Sequence, residues 1–244
     1  MTEHTVRAFD EQLKQLKNLI VQMGGLAEAE LENAMLALTR RDTALAQATV
    51  GSDSRLDQLE QEVSALAVRM LALRQPMATD LREIVSALKI SSDLERMGDY
   101  AANVAKRSIA LSQLPAVRAA GSIPRMARLV QVIIKDVLDS YVERDTERAI
   151  EAWSRDEEVD EMYTSIFREL LTYMMEDTRT ISACTHLLFV AKNIERIGDH
   201  ATNIAEIVHF LVLGRGIDRV RPKGDTTSFA VVTPAQTPPQ GGRE

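Results

Sequence analysis

A twelve-residue segment occurs twice in this 244-residue chain, and the duplication constrains the fold more than any other feature of the sequence. Residues 94–105 read LERMGDYAANVA, and residues 194–205, which lie 100 positions later, read IERIGDHATNIA. The tripeptide RDT also occurs twice, at residues 41–43 and 144–146, 103 positions apart. Because motifs repeated in the same order indicate duplicated structural units, we expect two halves with the same architecture.

Apolar residues in the first half recur every three or four residues, which is typical of amphipathic helices. The first stripe runs from Phe9 to Leu38, a second helix follows the RDT motif and ends at Pro76, and a third runs from Met77 to Leu114. Only three prolines and six glycines precede residue 214, and aromatic residues make up 4% of the chain. Long helices joined by short turns are therefore expected, and a large β-protein is not.

The sequence predicts an all-α fold of two tandem antiparallel three-helix bundles, related by an internal pseudo-twofold repeat. We expect the first bundle at residues 1–116 and the second at 122–213. Residues 214–244 are rich in Pro, Thr, Gly and Gln and have little apolar content. Because such a segment has too little apolar surface to fold by itself, it is predicted to be a flexible, disordered tail.

Charge and cysteine content exclude several classes of protein. The net charge of −7 argues against a nucleic-acid binder that depends on phosphate contacts. A single cysteine, Cys184, excludes an intramolecular disulfide, a thiolate zinc site and a CxxC redox pair. The N-terminus lacks an apolar signal segment, and no run approaches the roughly 18 apolar residues of a membrane span. We therefore expect a cytoplasmic protein.

Pairs of acidic residues four positions apart recur on the predicted second and third helices of both halves. The pairs are Asp53 with Asp57, Glu95 with Asp99, Asp156 with Asp160, and Glu195 with Asp199, and Asn103 and Asn203 extend two of these rows. Like charges at this spacing repel one another unless a cation binds between them. Because all the donor atoms are hard oxygens, the rows favour a divalent metal such as magnesium, calcium, manganese or iron. The alternative is that they are solvated helix faces.

Gly98 and Gly198 lie inside predicted helices, where glycine costs about 1 kcal/mol relative to alanine. Close approach of a neighbouring helix, or of a ligand held by the adjacent acids, would compensate this cost. Arg96 and Arg196 point away from the glutamates that precede them, and we expect them to form ion pairs with nearby acids, with contact to a protein partner as the alternative.

The sequence contains no recognisable catalytic machinery. Glu206 and His209 have the Glu-x-x-His spacing of di-iron bundles, but their counterparts in the first half, Lys106 and Ile109, cannot complete such a centre. No serine or cysteine nucleophile with a partnered base stands out, and no glycine-rich phosphate loop occurs. We predict no catalytic residues and no organic cofactor.

Four segments carry a resemblance to a known family. They are RQP at residues 74–76, DLR at 80–82, DLERMGD at 93–99 and NIERIGDHATNIA at 193–205. In these segments, and across about residues 6–213, the sequence resembles the PhoU family of phosphate-transport accessory proteins. The second half departs from the pattern, because it has DTRT at 177–180 in place of the RQP and DLR elements.

The resemblance implies metal sites and partners. Proteins similar to this one bind multinuclear iron or other divalent metals on paired E(D)xxxD motifs, which fall on the eight carboxylates named above. The resemblance also implies a homodimeric negative regulator of phosphate uptake and of the phosphate-starvation (Pho) regulon. Such proteins contact the phosphate ABC transporter, through its ATPase subunit, and a phosphate-sensing histidine kinase, so that they reach the inner membrane only through partners.

Two alternatives to this function stay open. Clustered carboxylates with two metals activate water in phosphohydrolases, although a surface row without His, Lys or a concave apolar pocket argues against such an enzyme. The other alternative is a helical scaffold that binds no metal. The sequence leaves open whether iron, manganese, zinc or magnesium binds.

Overall fold

The structure, a computed structural model, describes residues 2–74, 76–117, 121–219, 221, 225 and 227. These residues form seven α-helices: α1 (Thr2–Arg40), α2 (Thr43–Arg74), α3 (Ala78–Ser112), α4 (Ile123–Glu143), α5 (Thr146–Ser154), α6 (Asp156–Glu176) and α7 (Ile181–Leu213). A short 3-10 turn, Thr178–Thr180, precedes α7. The predicted all-α fold is confirmed.

The helices pack as two three-helix units placed side by side. Helices α1, α2 and α3 all contact one another, and α4, α6 and α7 do the same in the second half, with α5 packed on α4 and α7. Helices α3 and α7 lie against each other, and α1 touches α4, so the two units share one continuous core. This arrangement confirms the tandem bundles that the duplicated sequence predicts.

The repeated RDT motif ends one helix and begins the next. Arg41 and Arg144 have left-handed backbone conformations, with φ of 55° and 59°. The carboxylate of Asp42 accepts a hydrogen bond from the backbone N–H of Leu45 at 2.9 Å, and Asp145 accepts two such bonds. Because an aspartate at this position satisfies free N–H groups of the first helical turn, the motif fixes both helix starts.

The second half differs from the first at one place that the sequence did not predict. Helix α2 runs without a break past Gly51, whereas its counterpart is divided at Arg155 into α5 and α6. The backbone N–H of Arg155 donates to the carbonyl of Ala152, three residues back, in place of the four-residue α-helical bond. This tight turn places Asp156 at the first position of α6.

Two further sequence predictions concern the membrane and the tail. None of the helices in the described part of the chain combines the length and the apolar character that a membrane crossing needs. Most of the predicted flexible tail lies outside the described residues. Of its last 24 residues, Arg221, Asp225 and Thr227 are described, and they contact α6 and α7.

Candidate cation sites

Carboxylates from three helices converge in the first bundle. Glu30 comes from α1, Asp53 and Asp57 from α2, and Glu95 and Asp99 from α3. Each of Glu30, Asp53 and Glu95 experiences the charge of at least two of the others. We call these five residues the first acidic site.

Glu30 is the member of the first acidic site that the sequence analysis missed. Its side chain is 3% exposed, and neither carboxylate oxygen has a hydrogen-bond partner of good geometry. Burial, together with the charges of Asp53 and Asp57, raises the pKa of Glu30 to about 7, although the nearby Ser52 hydroxyl lowers it in part. The signal available in the sequence was a charged residue three positions after Ala27 inside the apolar stripe of α1.

Gly98 leaves the space in which these carboxylates meet. A Cβ atom at Gly98 would collide with Leu56 and would lie 3.0 Å from Oε2 of Glu30 and 3.3 Å from Oδ1 of Asp53. At Gly198, in contrast, the nearest atoms are Val159 at 3.4 Å and Val130 at 3.5 Å, which are ordinary contacts. Close packing therefore explains Gly98, whereas Gly198 faces valine side chains and has room for a methyl group.

The first acidic site carries excess negative charge. Burial raises the pKa of Asp53 and of Glu95, and in both residues the charge of Asp99 raises it further. The predicted ion pair of Arg96 is present, since its guanidinium lies 3.5 Å from Glu95 and 3.1 Å from Asp99. Because Arg96 is 56% exposed, this pair offsets little of the repulsion among the five carboxylates.

The second bundle brings its four predicted carboxylates together in a different environment. Asp156, Asp160, Glu195 and Asp199, on α6 and α7, form what we call the second acidic site. The guanidinium of Arg221 donates to both carboxylate oxygens of Asp156, at 2.7 and 3.0 Å, and to Oδ1 of Asp199 at 2.7 Å.

Arg221 also contacts two further side chains of α7. Its Nη1 donates to Oδ1 of Asn203 at 3.3 Å, and its Nη2 contacts the hydroxyl of Thr202. Asn203, named above as a possible metal ligand, is thus held by Arg221 and by Asp93, to which its amide donates at 3.3 Å.

A lysine and a second residue near the C-terminus contact the other carboxylates of the second acidic site. Lys192 lies 2.8 Å from Oε1 of Glu195 and 3.0 Å from Oδ2 of Asp225, whose backbone N–H donates to Asp160 at 3.2 Å. Burial, together with the charge of Asp199, raises the pKa of Glu195 to about 7, although Lys192 opposes the rise. Arg196, which we expected to pair with an acid, lies over the ring of Tyr100 at 5.5 Å.

The two sites differ in how well they suit a divalent cation. Among the described residues, no group of three or more His, Cys, Asp or Glu side chains has the arrangement of a metal-ligand set. The first acidic site nevertheless supplies the right donors, because both oxygens of Glu30 are buried without partners beside Asp53. The second acidic site does not fit a cation as it stands, since Arg221 already binds Asp156 and Asp199. Metal binding therefore stays a prediction.

The Glu-x-x-His pair of the second half has structural contacts. The indole N–H of Trp153 donates to Glu206 at 2.9 Å. Nδ1 of His209 donates to the carbonyl oxygen of Arg215 at 3.0 Å, just beyond the end of α7. Both side chains thus fix the packing at the end of the second bundle.

Comparison with known proteins identifies relatives along most of the chain. The family model described as the PhoU domain matches twice, at residues 20–108 and 123–208. A protein of Caulobacter vibrioides named phosphate-specific transport system accessory protein PhoU homolog is 57% identical over 229 residues, which cover 93% of this chain and all of that protein. The protein of the same name from Rhizobium meliloti is 51% identical over 227 residues, covering 92% of this chain and 95% of that protein.

Two crystal structures have the same fold. PhoU from Pseudomonas aeruginosa is 39% identical and superimposes with a TM-score of 0.83, covering 85% of this chain and all of that one. The phosphate transport system regulatory protein PhoU from Streptococcus pneumoniae is 29% identical with a TM-score of 0.79, covering 86% of this chain and all of that one. Two matched domains, identity above half along nearly the whole chain, and shared architecture lead to one conclusion: this chain belongs to the PhoU family.

Proposed function

We propose that this chain is a negative regulator of phosphate uptake and of the Pho regulon. The observation that carries the proposal is family membership through both bundles, together with relatives named as accessory proteins of a phosphate-specific transport system. The regulator acts in the cytoplasm, as a homodimer, by contact with the ATPase subunit of the phosphate ABC transporter and with a phosphate-sensing histidine kinase. It is not an enzyme, so phosphoester turnover with added Mn²⁺ is expected at the background rate.

A divalent cation at the first acidic site is part of this proposal. Glu30, Asp53, Asp57, Glu95 and Asp99 would hold it, and iron, manganese, zinc and magnesium all accept such oxygen ligands. The three helices that carry these residues now bring like charges together. A bound cation would offset that repulsion and fix the relative positions of α1, α2 and α3. The conformation of the bundle face that partners contact would then depend on whether the metal is bound.

The turn between α2 and α3 supports contact with a protein partner. Leu73 is 70% exposed, Met77 is 80% exposed and Leu81 is 42% exposed, and all three lie within nine residues of one another. Exposed apolar side chains grouped in this way typically mark protein-interaction surfaces. The RQP element, residues 74–76, and the DLR element, residues 80–82 at the start of α3, border this turn, and we therefore assign the surface to the transporter's ATPase subunit.

Deleting the gene tests the regulatory role directly. In medium with ample phosphate, the deletion strain is expected to take up phosphate faster and to express a phosphate-starvation reporter, and the wild-type gene supplied on a plasmid should restore repression. If the deletion strain represses the reporter as the parent strain does, the proposed function is wrong.

Substitution at the turn tests the partner assignment. Leu73→Glu with Met77→Glu should weaken binding of the purified chain to the purified transporter at least about tenfold, because it places two charges on the contact surface. The matched control is Met175→Glu with Ile181→Glu, which alters the corresponding turn of the second bundle, where the side chains are 52% and 45% exposed. Equal loss of binding in both variants would contradict the assignment of the first turn.

A further inference from the structure

Arg221 and Asp225, two residues near the C-terminus, lie directly on the second acidic site. Arg221 comes eight residues after the end of α7, and its side chain is only 16% exposed. It binds Asp156, which is 3% exposed on its side chain, with two N–H groups, and it reaches Asp199 as well. A guanidinium that bonds a carboxylate with two parallel N–H groups is among the stronger ionic contacts in proteins.

Asp225 also engages the two other carboxylates of this site, one of them through Lys192. The backbone N–H of Asp225 donates to Asp160 at 3.2 Å, and the carboxylate of Asp225 shares Lys192 with Glu195. Residues 221 and 225 thus contact the second acidic site at both ends, directly or through Lys192. The positive charges that act on the described carboxylates of the first acidic site include the exposed Arg96 and Lys106, and none of them is a buried guanidinium bonded as Arg221 is.

From this asymmetry we infer that Arg221 and Asp225 are intramolecular ligands of the second acidic site, and that Arg221 and a divalent cation bind there alternatively. Arg221 occupies both oxygens of Asp156 and Oδ1 of Asp199, and a cation held by these two carboxylates would compete for the same oxygens. Both cannot be satisfied at once, since guanidinium and metal would occupy the same lone pairs and repel each other. The inference rests on the proposed cation binding, and it adds that the second acidic site accepts a cation only when Arg221 has dissociated from it.

Mutual exclusion has a quantitative consequence. If a site is open for only a fraction of the time, the apparent affinity of a cation is its intrinsic affinity multiplied by that fraction. The full-length chain should therefore bind a cation at the first acidic site more tightly than at the second. Removing Arg221 should tighten the second site at least about tenfold and leave the first unchanged.

The only tryptophan of the chain provides a site-specific signal. Trp153 lies three positions before Asp156, and its indole N–H binds Glu206, whose charge acts on Arg221. Paramagnetic Mn²⁺ bound at the second acidic site should quench the emission of Trp153. Binding at the first acidic site, on the other bundle, should leave that emission largely unchanged.

The experiment is a titration of the full-length chain with Mn²⁺, in which total binding is followed by the electron paramagnetic resonance of free Mn²⁺ and second-site binding by Trp153 emission. The variants are Arg221→Gln and Arg221→Lys, and the matched control is Arg215→Gln, which removes an arginine that is 71% exposed. We expect Trp153 quenching at a Mn²⁺ concentration at least about tenfold lower in Arg221→Gln than in wild type, an intermediate shift in Arg221→Lys, and no shift in the control.

Each outcome decides between the claims. If wild type and both Arg221 variants bind Mn²⁺ with the same total stoichiometry and the same quenching midpoint, Arg221 does not compete with a cation and the inference is wrong, while the first site stands. If none of the proteins binds Mn²⁺, the proposed cation sites fail and the competition fails with them. Circular dichroism shows whether each variant folds. If Arg221→Gln does not fold, Arg221→Lys, which keeps the positive charge, still tests the competition.

Discussion

Asp93 of α3 and His200 of α7 join the two bundles through a hydrogen bond of 2.7 Å, which Nδ1 of the imidazole donates to the carboxylate. Their side chains are only 15% and 22% exposed, so water screens the contact weakly. His200 takes the position that Tyr100 has in the first repeat, and the two rings lie 5.7 Å apart. The bond between the two halves thus depends on a residue in which the repeats differ.

The Asp93–His200 contact should be measurable as a coupling energy. In a double-mutant cycle of Asp93→Ala and His200→Ala, we expect a coupling of about 1–2 kcal/mol in the free energy of unfolding, because the bond involves a charged acceptor with little water around it. The control cycle is Arg55 with Glu62, a 3.8 Å pair in which both side chains are about half exposed, and it should give close to zero. Similar couplings in the two cycles would contradict the account.

The two glycines of the repeated segment should respond to alanine with opposite signs. Gly98→Ala forces a methyl group against Leu56 and the carboxylate of Glu30, and we expect it to destabilise the fold by about 1–3 kcal/mol. Gly198→Ala meets only ordinary contacts and removes the conformational cost of glycine, so a gain of about 0.5–1 kcal/mol is expected. Urea unfolding of the two variants checks both, and a loss of stability in Gly198→Ala would refute the packing argument.

The buried carboxyl of Glu30 predicts a pH dependence of stability in the metal-free protein. Its pKa rises from 4.5 to about 7 on folding, so the folded state holds this proton more tightly than the unfolded state does. Stability from this group is therefore complete below about pH 4.5 and is lost as the pH rises to about 7. At 1.36 kcal/mol for each pKa unit, the loss is of the order of 3 kcal/mol.

Glu30→Gln removes this titration and is the variant that tests it. With a chelator present, its free energy of unfolding should fall less than that of wild type between pH 4.5 and 7. Glu195→Gln should flatten the profile in a similar way, because the pKa of Glu195 is also raised to about 7 by burial. If wild type and Glu30→Gln show parallel pH profiles, Glu30 is not a buried, unpartnered carboxyl.

Much of the fold could be predicted from the sequence because its determinants are periodic. Apolar spacing predicts the long helices, the duplicated segment predicts two bundles, and the RDT motif predicts two helix starts, all of which the structure contains. The break at Arg155 could not be predicted in this way, since neither proline nor glycine marks it. A single changed hydrogen bond in an otherwise helical pattern leaves no periodic signal.

Prediction of the candidate sites from the sequence was limited in the same way, because only periodic signals could be read. The four carboxylate pairs were visible because each pair lies four residues apart on one helix. Glu30 was not, because its neighbours in the first acidic site come from other helices and it stands alone in an apolar stripe. Arg221 was missed for a related reason: it belongs to a segment of low apolar content, and its partners Asp156 and Asp199 lie 65 and 22 positions away.

The most direct test of the account is the metal content of untagged protein after loading with Mn²⁺ and dialysis, measured by elemental analysis. Wild type should retain Mn²⁺, Glu95→Gln with Asp99→Asn should lose it, and Glu195→Gln with Asp199→Asn should retain it. In the first acidic site Glu30 is buried without a partner and Arg96 is exposed, whereas in the second the buried Arg221 binds Asp156 and Asp199. A metal-free wild type, or a first-site variant that holds as much Mn²⁺ as wild type, would contradict the central claim that the first acidic site is a cation site.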